Sequence, residues 1–209
     1  MKLRLIIFDL YGTLIFSIEK IKKEDFFAFY RKIGIKLETE EDIKSFINLF
    51  TQLMTEAKNW QDLSKKLLEK VIEKPVQETI NKLADFFEEN IVYQLYDDVK
   101  EIIALPCRKA ILTTAAPFLF SNFGLEKYFE IFTPKETKFL KPDPRAFLAV
   151  LNKLKVRPEE ILMIGDEIER DLIPAKNLGI RTILIDRQDK IKNYSGGKIK
   201  SLKNLKEIL

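Results

Sequence analysis

A chain of 209 residues, 46% of them hydrophobic, can bury one sizeable core, or a core with a smaller lid. It contains no histidine and one cysteine, which excludes a Ser-His-Asp triad, a Cys-His dyad, imidazole zinc sites and an internal disulfide framework. Its 36 basic and 32 acidic residues are interspersed and leave a formal charge of +4, suited to a small anionic partner; no nucleic-acid motif is present, and no apolar stretch approaches the ~20 residues of a membrane span.

In chain order, the run Leu3 to Phe8 predicts a buried strand ending at Asp9, followed by Leu10-Tyr11-Gly12-Thr13. Residues 17 to 95 show helical spacing and no convincing strand. Ile21, Phe26, Phe27, Phe29 and Tyr30 share one amphipathic segment that stops near Gly34. Ile43, Phe46, Ile47 and Phe50 mark a second, with Thr39 and Asp42 as start signals. Leu63, Leu67, Leu68 and Val71 mark a third, and Ile80, Leu83, Phe86 and Phe87, after Pro75, a fourth. Aromatic residues at this spacing, with Trp60, read as the core of a helical insertion more readily than as a substrate pocket. Arg31 reads as a solvated surface residue.

From about residue 97 the pattern alternates. Val99 to Leu105 predicts a helix, Lys109 to Leu112 a strand ending at Thr113-Thr114, and Phe118 to Phe123 a helix closed by Gly124. Ile131-Phe132 is a short strand and Pro144 to Lys155 a helix. Ile161 to Ile164 is a strand ending at Gly165-Asp166, the helix after Asp171 stops at Gly179, and Thr182 to Ile185 is a further strand. Ser195-Gly196-Gly197 reads as a turn. Strands separated by helices imply a doubly wound, Rossmann-like parallel sheet, an α/β core with an inserted α-helical domain. Ligands bind such sheets at the carboxyl ends of the strands, which predicts Asp9, Thr113 and Asp166 as neighbours.

Taken singly, each of these residues has an ordinary structural role. Asp9 serves equally as a helix N-cap, Thr113-Thr114 as β-branched strand residues, Lys141 as a turn lysine, and Glu167, Glu169 and Asp171 as complements to a helix N-terminus. Cys107 reads as an unreactive thiol. Together, and in this order, they resemble the haloacid dehalogenase superfamily over nearly the whole chain. The resemblance implies Asp9 as the nucleophile of motif I, Thr113 as the motif II hydroxyl with Thr114 beside the substrate, and Lys141 of Lys141-Pro142-Asp143-Pro144 as the motif III lysine. It implies Mg2+ held by Asp9, the Tyr11 backbone carbonyl, Asp166 and Asp171. It also implies a core domain of residues 1–16 and 96–209, a helical cap of residues 17–95, and a cytoplasmic hydrolase; the Lys-, Glu- and Ile-rich composition fits a thermophilic source.

Tyr11 divides the reading. Phosphatases of the superfamily carry there an aspartate that protonates the leaving alcohol, whereas a phenol, with an ordinary pKa near ~10, is a poor base at neutral pH. The family's 2-haloacid dehalogenases carry tyrosine, giving Asp-x-Tyr-Gly-Thr, and halide needs no proton to leave. Those enzymes work without metal and replace the Gly-Asp of motif IV, which this chain keeps as Gly165-Asp166. They also have asparagine where Thr114 stands, and Arg31 comes too early to match their halide-binding arginine. The expectation is a Mg2+-dependent phosphatase with an aspartyl-phosphate on Asp9. The alternatives are a haloacid dehalogenase and a low-turnover binding protein on the same scaffold.

Overall fold

The structure, a computed structural model, describes residues 3–208. Two units separate in it. One runs to Phe16 and continues over Leu95–Ala115 and from Phe123 onward; the other is Ser17–Gln94 with Ala116–Asn122. In chain order the elements are β1 (Leu5–Phe8), β2 (Ile15–Glu19), α1 (Lys23–Lys32), α2 (Glu40–Met54), α3 (Trp60–Val71) and α4 (Gln77–Asn90). There follow β3 (Ile91–Leu95), α5 (Val99–Ile103), β4 (Arg108–Leu112), β5 (Glu130–Phe132), α6 (Pro134–Thr137) and α7 (Pro144–Leu154). The chain closes with β6 (Ile161–Gly165), α8 (Ile173–Asn177), β7 (Arg181–Ile185), β8 (Gly197–Ile199) and α9 (Leu205–Ile208). No described helix is long and apolar enough to cross a membrane.

The sheet explains why β1 reads as an unbroken apolar run. All four of its residues are fully buried, because it lies inside a six-stranded sheet of order β5-β4-β1-β6-β7-β8 whose pairings are all parallel. A strand covered on both faces has no polar side to present. Phe8 sits level with Ile111 of β4 and Ile164 of β6. The residues that follow these three strands therefore emerge side by side. On one face Leu5, Ile7 and Met163 pack with Phe147 and Val150 of α7. Asp143 caps that helix by accepting from the Arg145 amide at 2.9 Å, with Pro144 at the first helical position, where a missing N–H costs nothing.

In the helical unit, local signals set the helix starts. Thr39 accepts from the Asp42 amide at 3.1 Å while Asp42 accepts from the Thr39 amide at 2.9 Å, a reciprocal capping box for α2. Asn59 caps α3 through the Asp62 amide at 2.8 Å. The aromatics interlock as that unit's core. Phe29 stacks on Phe86 at 3.8 Å, and Tyr30, almost fully buried, lies 4.8 Å from Phe46.

Three expectations need correction. The region from 17 to 95 is not free of strands, because β2 and β3 form a separate two-stranded sheet. Neither strand has the fully buried apolar run that marks β1 and β6, and their pairing is non-local. The segment Phe118–Phe123 forms short 3-10 turns, Pro117–Leu119 and Ser121–Phe123, rather than a helix. Gly197 does not only turn the chain; it opens β8, which pairs with β7 as the sixth strand.

A polar clamp joins distant parts of the α/β unit. Asp98 accepts from Arg187 at 2.9 and 3.0 Å, from Ser201 Oγ at 2.7 Å and from the Leu202 amide at 2.9 Å. The Arg187 guanidinium lies 3.6 Å from the centre of the Tyr96 ring and donates to the Thr13 carbonyl at 2.6 Å. Removing one partner strands a desolvated charge, so Asp98→Ala is expected to lower unfolding stability by about 3 kcal/mol. Urea denaturation at pH 7 checks this, and a midpoint unchanged from wild type would show the clamp to be dispensable.

Candidate functional site

Where β1 ends, Asp9 is held from behind: its amide donates to the Ile164 carbonyl of β6 at 2.8 Å. Its side chain is largely buried. Lys141, from the loop before α7, is buried as well and donates through Nζ to Asp9 Oδ1 and, at 2.6 Å, to Asp171 Oδ1. Asp171 belongs to a single π turn, Ile168–Leu172, that follows β6; such turns are uncommon and often mark functional positions. Its other oxygen accepts from the Glu167 amide at 3.2 Å.

Two glycines make room for these acids. A Cβ at Gly165 would overlap the Asp171 carboxylate, and one at Gly12, which also has a φ of +77°, would overlap the Asp166 carboxylate. A side chain at either position is excluded by space, and at Gly12 also by backbone conformation. Asp166 Oδ1 is buried with no hydrogen-bond partner among the described residues. Asp9, Asp166 and Asp171 each offer a carboxylate oxygen, and these atoms lie within 4.8 Å of one another.

Three carboxylates against one ammonium leave a formal charge of −2 in a space largely closed to water. That excess shows in the titration of the groups. Asp166 is pushed up to about 7 by burial first, then by Asp9, Asp171 and Glu167. Asp171 is pushed up to about 6 by burial and by Asp9, against the pull of Lys141. Burial works against the Lys141 cation, but the two carboxylates outweigh it and hold its ammonium above the ordinary lysine value. Hard oxygen donors and an uncompensated negative charge suit a small divalent cation.

Asp9, Lys141, Asp166 and Asp171 are thus brought together from segments far apart in the chain. Thr113 and Thr114 lie past the end of β4, the neighbouring strand. Thr113 is buried and its hydroxyl accepts from the Ala115 amide at 3.0 Å, while the Thr114 hydroxyl accepts from Arg170 at 3.2 Å. Tyr11 sits on the turn beside Gly12, its side chain 50% exposed, and its backbone bridges to Ile15. Arg31 is spent locally, donating to the Leu37 carbonyl at 3.2 and 3.0 Å. Burial raises the Cys107 thiol pKa, the opposite of activation. Sequence reasoning passed over Arg170, Tyr96 and Arg187. Arg170 adjoins Asp171 and could have been noticed; Arg187 shows its connection to Thr13 only in three dimensions.

A family model described as haloacid dehalogenase-like hydrolase matches residues 3–179. A candidate pyrophosphatase PpaX of Caldanaerobacter subterraneus subsp. tengcongensis is 28% identical over 197 residues, covering 88% of this chain and 82% of that protein. A phosphoserine phosphatase of Thermus thermophilus is 33% identical over 120 residues, 53% of this chain and 48% of its own length. Among solved structures, a 2-haloacid dehalogenase of Pseudomonas syringae pv. Tomato DC3000 superposes with a TM-score of 0.67 at 20% identity, covering 99% of this chain and 97% of that one. At that identity the likeness concerns the fold alone.

The raised carboxylates have a pH signature. Asp166 binds its proton more tightly folded, at about 7, than an ordinary carboxyl at 3.8, so ionising it costs the native state. The cost is absent below pH 4, grows between the two values and is complete above pH 7. In EDTA at pH 8, Asp166→Asn is expected to melt on the order of 2–4 °C above wild type. The gain should vanish near pH 4. A thermal melt that shows no gain at pH 8 would contradict the electrostatic picture.

Proposed function

The chain belongs to the haloacid dehalogenase-like hydrolases, and from that premise we propose a Mg2+-dependent phosphohydrolase that acts through Asp9 on a small anionic phosphate ester or anhydride. The observation that carries the reading is the convergence of Asp9, Asp166 and Asp171 around the buried, unpartnered Asp166 Oδ1. An all-oxygen donor set with excess negative charge fits Mg2+. The relatives named as a candidate pyrophosphatase and a phosphoserine phosphatase support the same class.

In this reading Asp9, Asp166, Asp171 and the Tyr11 carbonyl hold the ion. When bound, Mg2+ supplies positive charge against the oxygens of the transferring phosphoryl group. Lys141 holds the Asp9 carboxylate in place through a direct hydrogen bond, and its cation offsets the repulsion between carboxylate and phosphate. An Asp9 oxygen attacks phosphorus, the bond to the leaving oxygen breaks, and an aspartyl-phosphate forms; water then attacks that phosphorus and restores the carboxylate. The Thr113 hydroxyl, fixed by the Ala115 amide, supports the phosphoryl group during transfer. Tyr11 stands where phosphatases of the family place their proton donor. The leaving oxygen therefore departs without that help, which favours substrates whose leaving groups are already stable as anions.

Phosphate release from p-nitrophenyl phosphate with Mg2+, lost in EDTA and in Asp9→Asn, is the expected result. Tyr11→Asp should raise kcat on alkyl phosphates by ~10²-fold, since general acid catalysis is worth ~10²–10⁴-fold. No phosphate above the Asp9→Asn background would sink the proposal. Tyr11 itself favours a second reading, a 2-haloacid dehalogenase. Chloride release from 2-chloropropionate that EDTA leaves untouched would establish that reading instead.

A further inference from the structure

Arg170 lies outside the cluster just described, yet it reaches into the same end of the sheet. It sits after β6, and its Nη2 donates to Thr114 Oγ1, after β4, at 3.2 Å. Strand β1 runs between those two strands. Adjacent strands lie ~4.8 Å apart, so β4 and β6 are separated by about 9–10 Å. The hydrogen bond from Arg170 to Thr114 therefore arches between the segments that follow the two strands flanking β1, the strand that carries Asp9. Its Nε is also 3.3 Å from Glu167 Oε2. An arginine has five N–H donors in a planar fork, so these two contacts leave donors to spare. The side chain is 42% exposed, open to an incoming ligand.

Charge gives this arch a purpose. Lys141 is already committed to Asp9 and Asp171, and the cluster as a whole carries excess negative charge. A substrate with a second anionic group beyond its transferring phosphoryl group would meet that field unscreened. A guanidinium at that end of the sheet, pre-oriented by Glu167 and Thr114, offers a paired N–H face of the kind that grips phosphate or carboxylate. Resting on the phosphohydrolase reading above, we propose that Arg170, held by Thr114, forms a second anion subsite. The preferred substrates then carry a phosphate or carboxylate on the leaving group, in the manner of a diphosphate or a phosphorylated acid. This class also answers the Tyr11 problem in part, because a phosphate leaving group departs as a stable anion without a proton donor.

The test compares inorganic pyrophosphate with p-nitrophenyl phosphate, which lacks the second anion, in wild type, Arg170→Ala, Arg170→Lys and Thr114→Val with Mg2+. Loss of a charge-assisted contact should lower kcat/KM for pyrophosphate by ~10–100-fold in Arg170→Ala, mainly through KM. Turnover of p-nitrophenyl phosphate by Arg170→Ala should change by less than about 3-fold, since that substrate lacks the contact. Arg170→Lys should recover part of the loss, and Thr114→Val should fall between. Equal losses on both substrates would make Arg170 a structural tie and overturn the proposal, as would no loss on either. Calorimetric titration of pyrophosphate with Mg2+ into Asp9→Asn and Asp9→Asn/Arg170→Ala gives a readout independent of turnover. If wild type hydrolyses neither substrate the phosphohydrolase reading fails, and the titration alone then decides the subsite. Equal affinity in the two proteins, or no binding, rejects it.

Discussion

One buried ammonium holds the site together. Lys141 donates to both Asp9 and Asp171, and these come from the ends of different strands and from a loop remote from each. None of the three charges could be buried alone, because desolvating an unpaired carboxylate or ammonium costs several kcal/mol. Two carboxylates around one cation reduce that cost without removing it and already leave the trio net negative, and the third acid, Asp166, deepens the excess. Burial and mutual repulsion accordingly push the Asp166 and Asp171 carboxyls upward. A site in that condition is prepared for a cation.

The sheet order makes the convergence possible. Because β1 lies between β4 and β6, residues that follow the three strands share one edge. Glycine then sets how close they come. Gly12 and Gly165 have no Cβ because the carboxylates of Asp166 and Asp171 take that space. The clamp of Asp98 and Arg187 fastens the loop beyond Asp9 from outside, through the Thr13 carbonyl. The proposed nucleophile is thus supported from two directions, by β6 through its own amide and by Arg187 through the loop that follows it.

Tyr11 lies on the same turn as Gly12, half exposed, whereas Asp9 and Asp171 are buried. The proposed chemistry follows from that split: the machinery for holding an anion and attacking it is dense and buried, while the position for proton delivery carries a phenol. A second anionic group on the leaving side, gripped by Arg170, would make such a site selective rather than merely slow.

Much of the fold was legible in the residues. The apolar run before Asp9, the alternation after residue 97 and the helix start at Thr39 are local patterns, and local patterns record which face of an element meets water. The strands β2, β3 and β8 were not legible, because none of them carries the fully buried apolar run of β1 and β6. At the site, the strand-end pattern singled out Asp9, Thr113 and Asp166, and the family resemblance added Lys141 and Asp171. Neither could indicate that Lys141 binds two acids at once, that an Asp166 oxygen is left buried without a partner, or that Arg170, after β6, reaches Thr114, after β4. Sequence by itself determined the identity of the groups and the strand ends that carry them. Only the tertiary structure decided their charge balance, because desolvation and Coulomb repulsion depend on distances that no linear order contains.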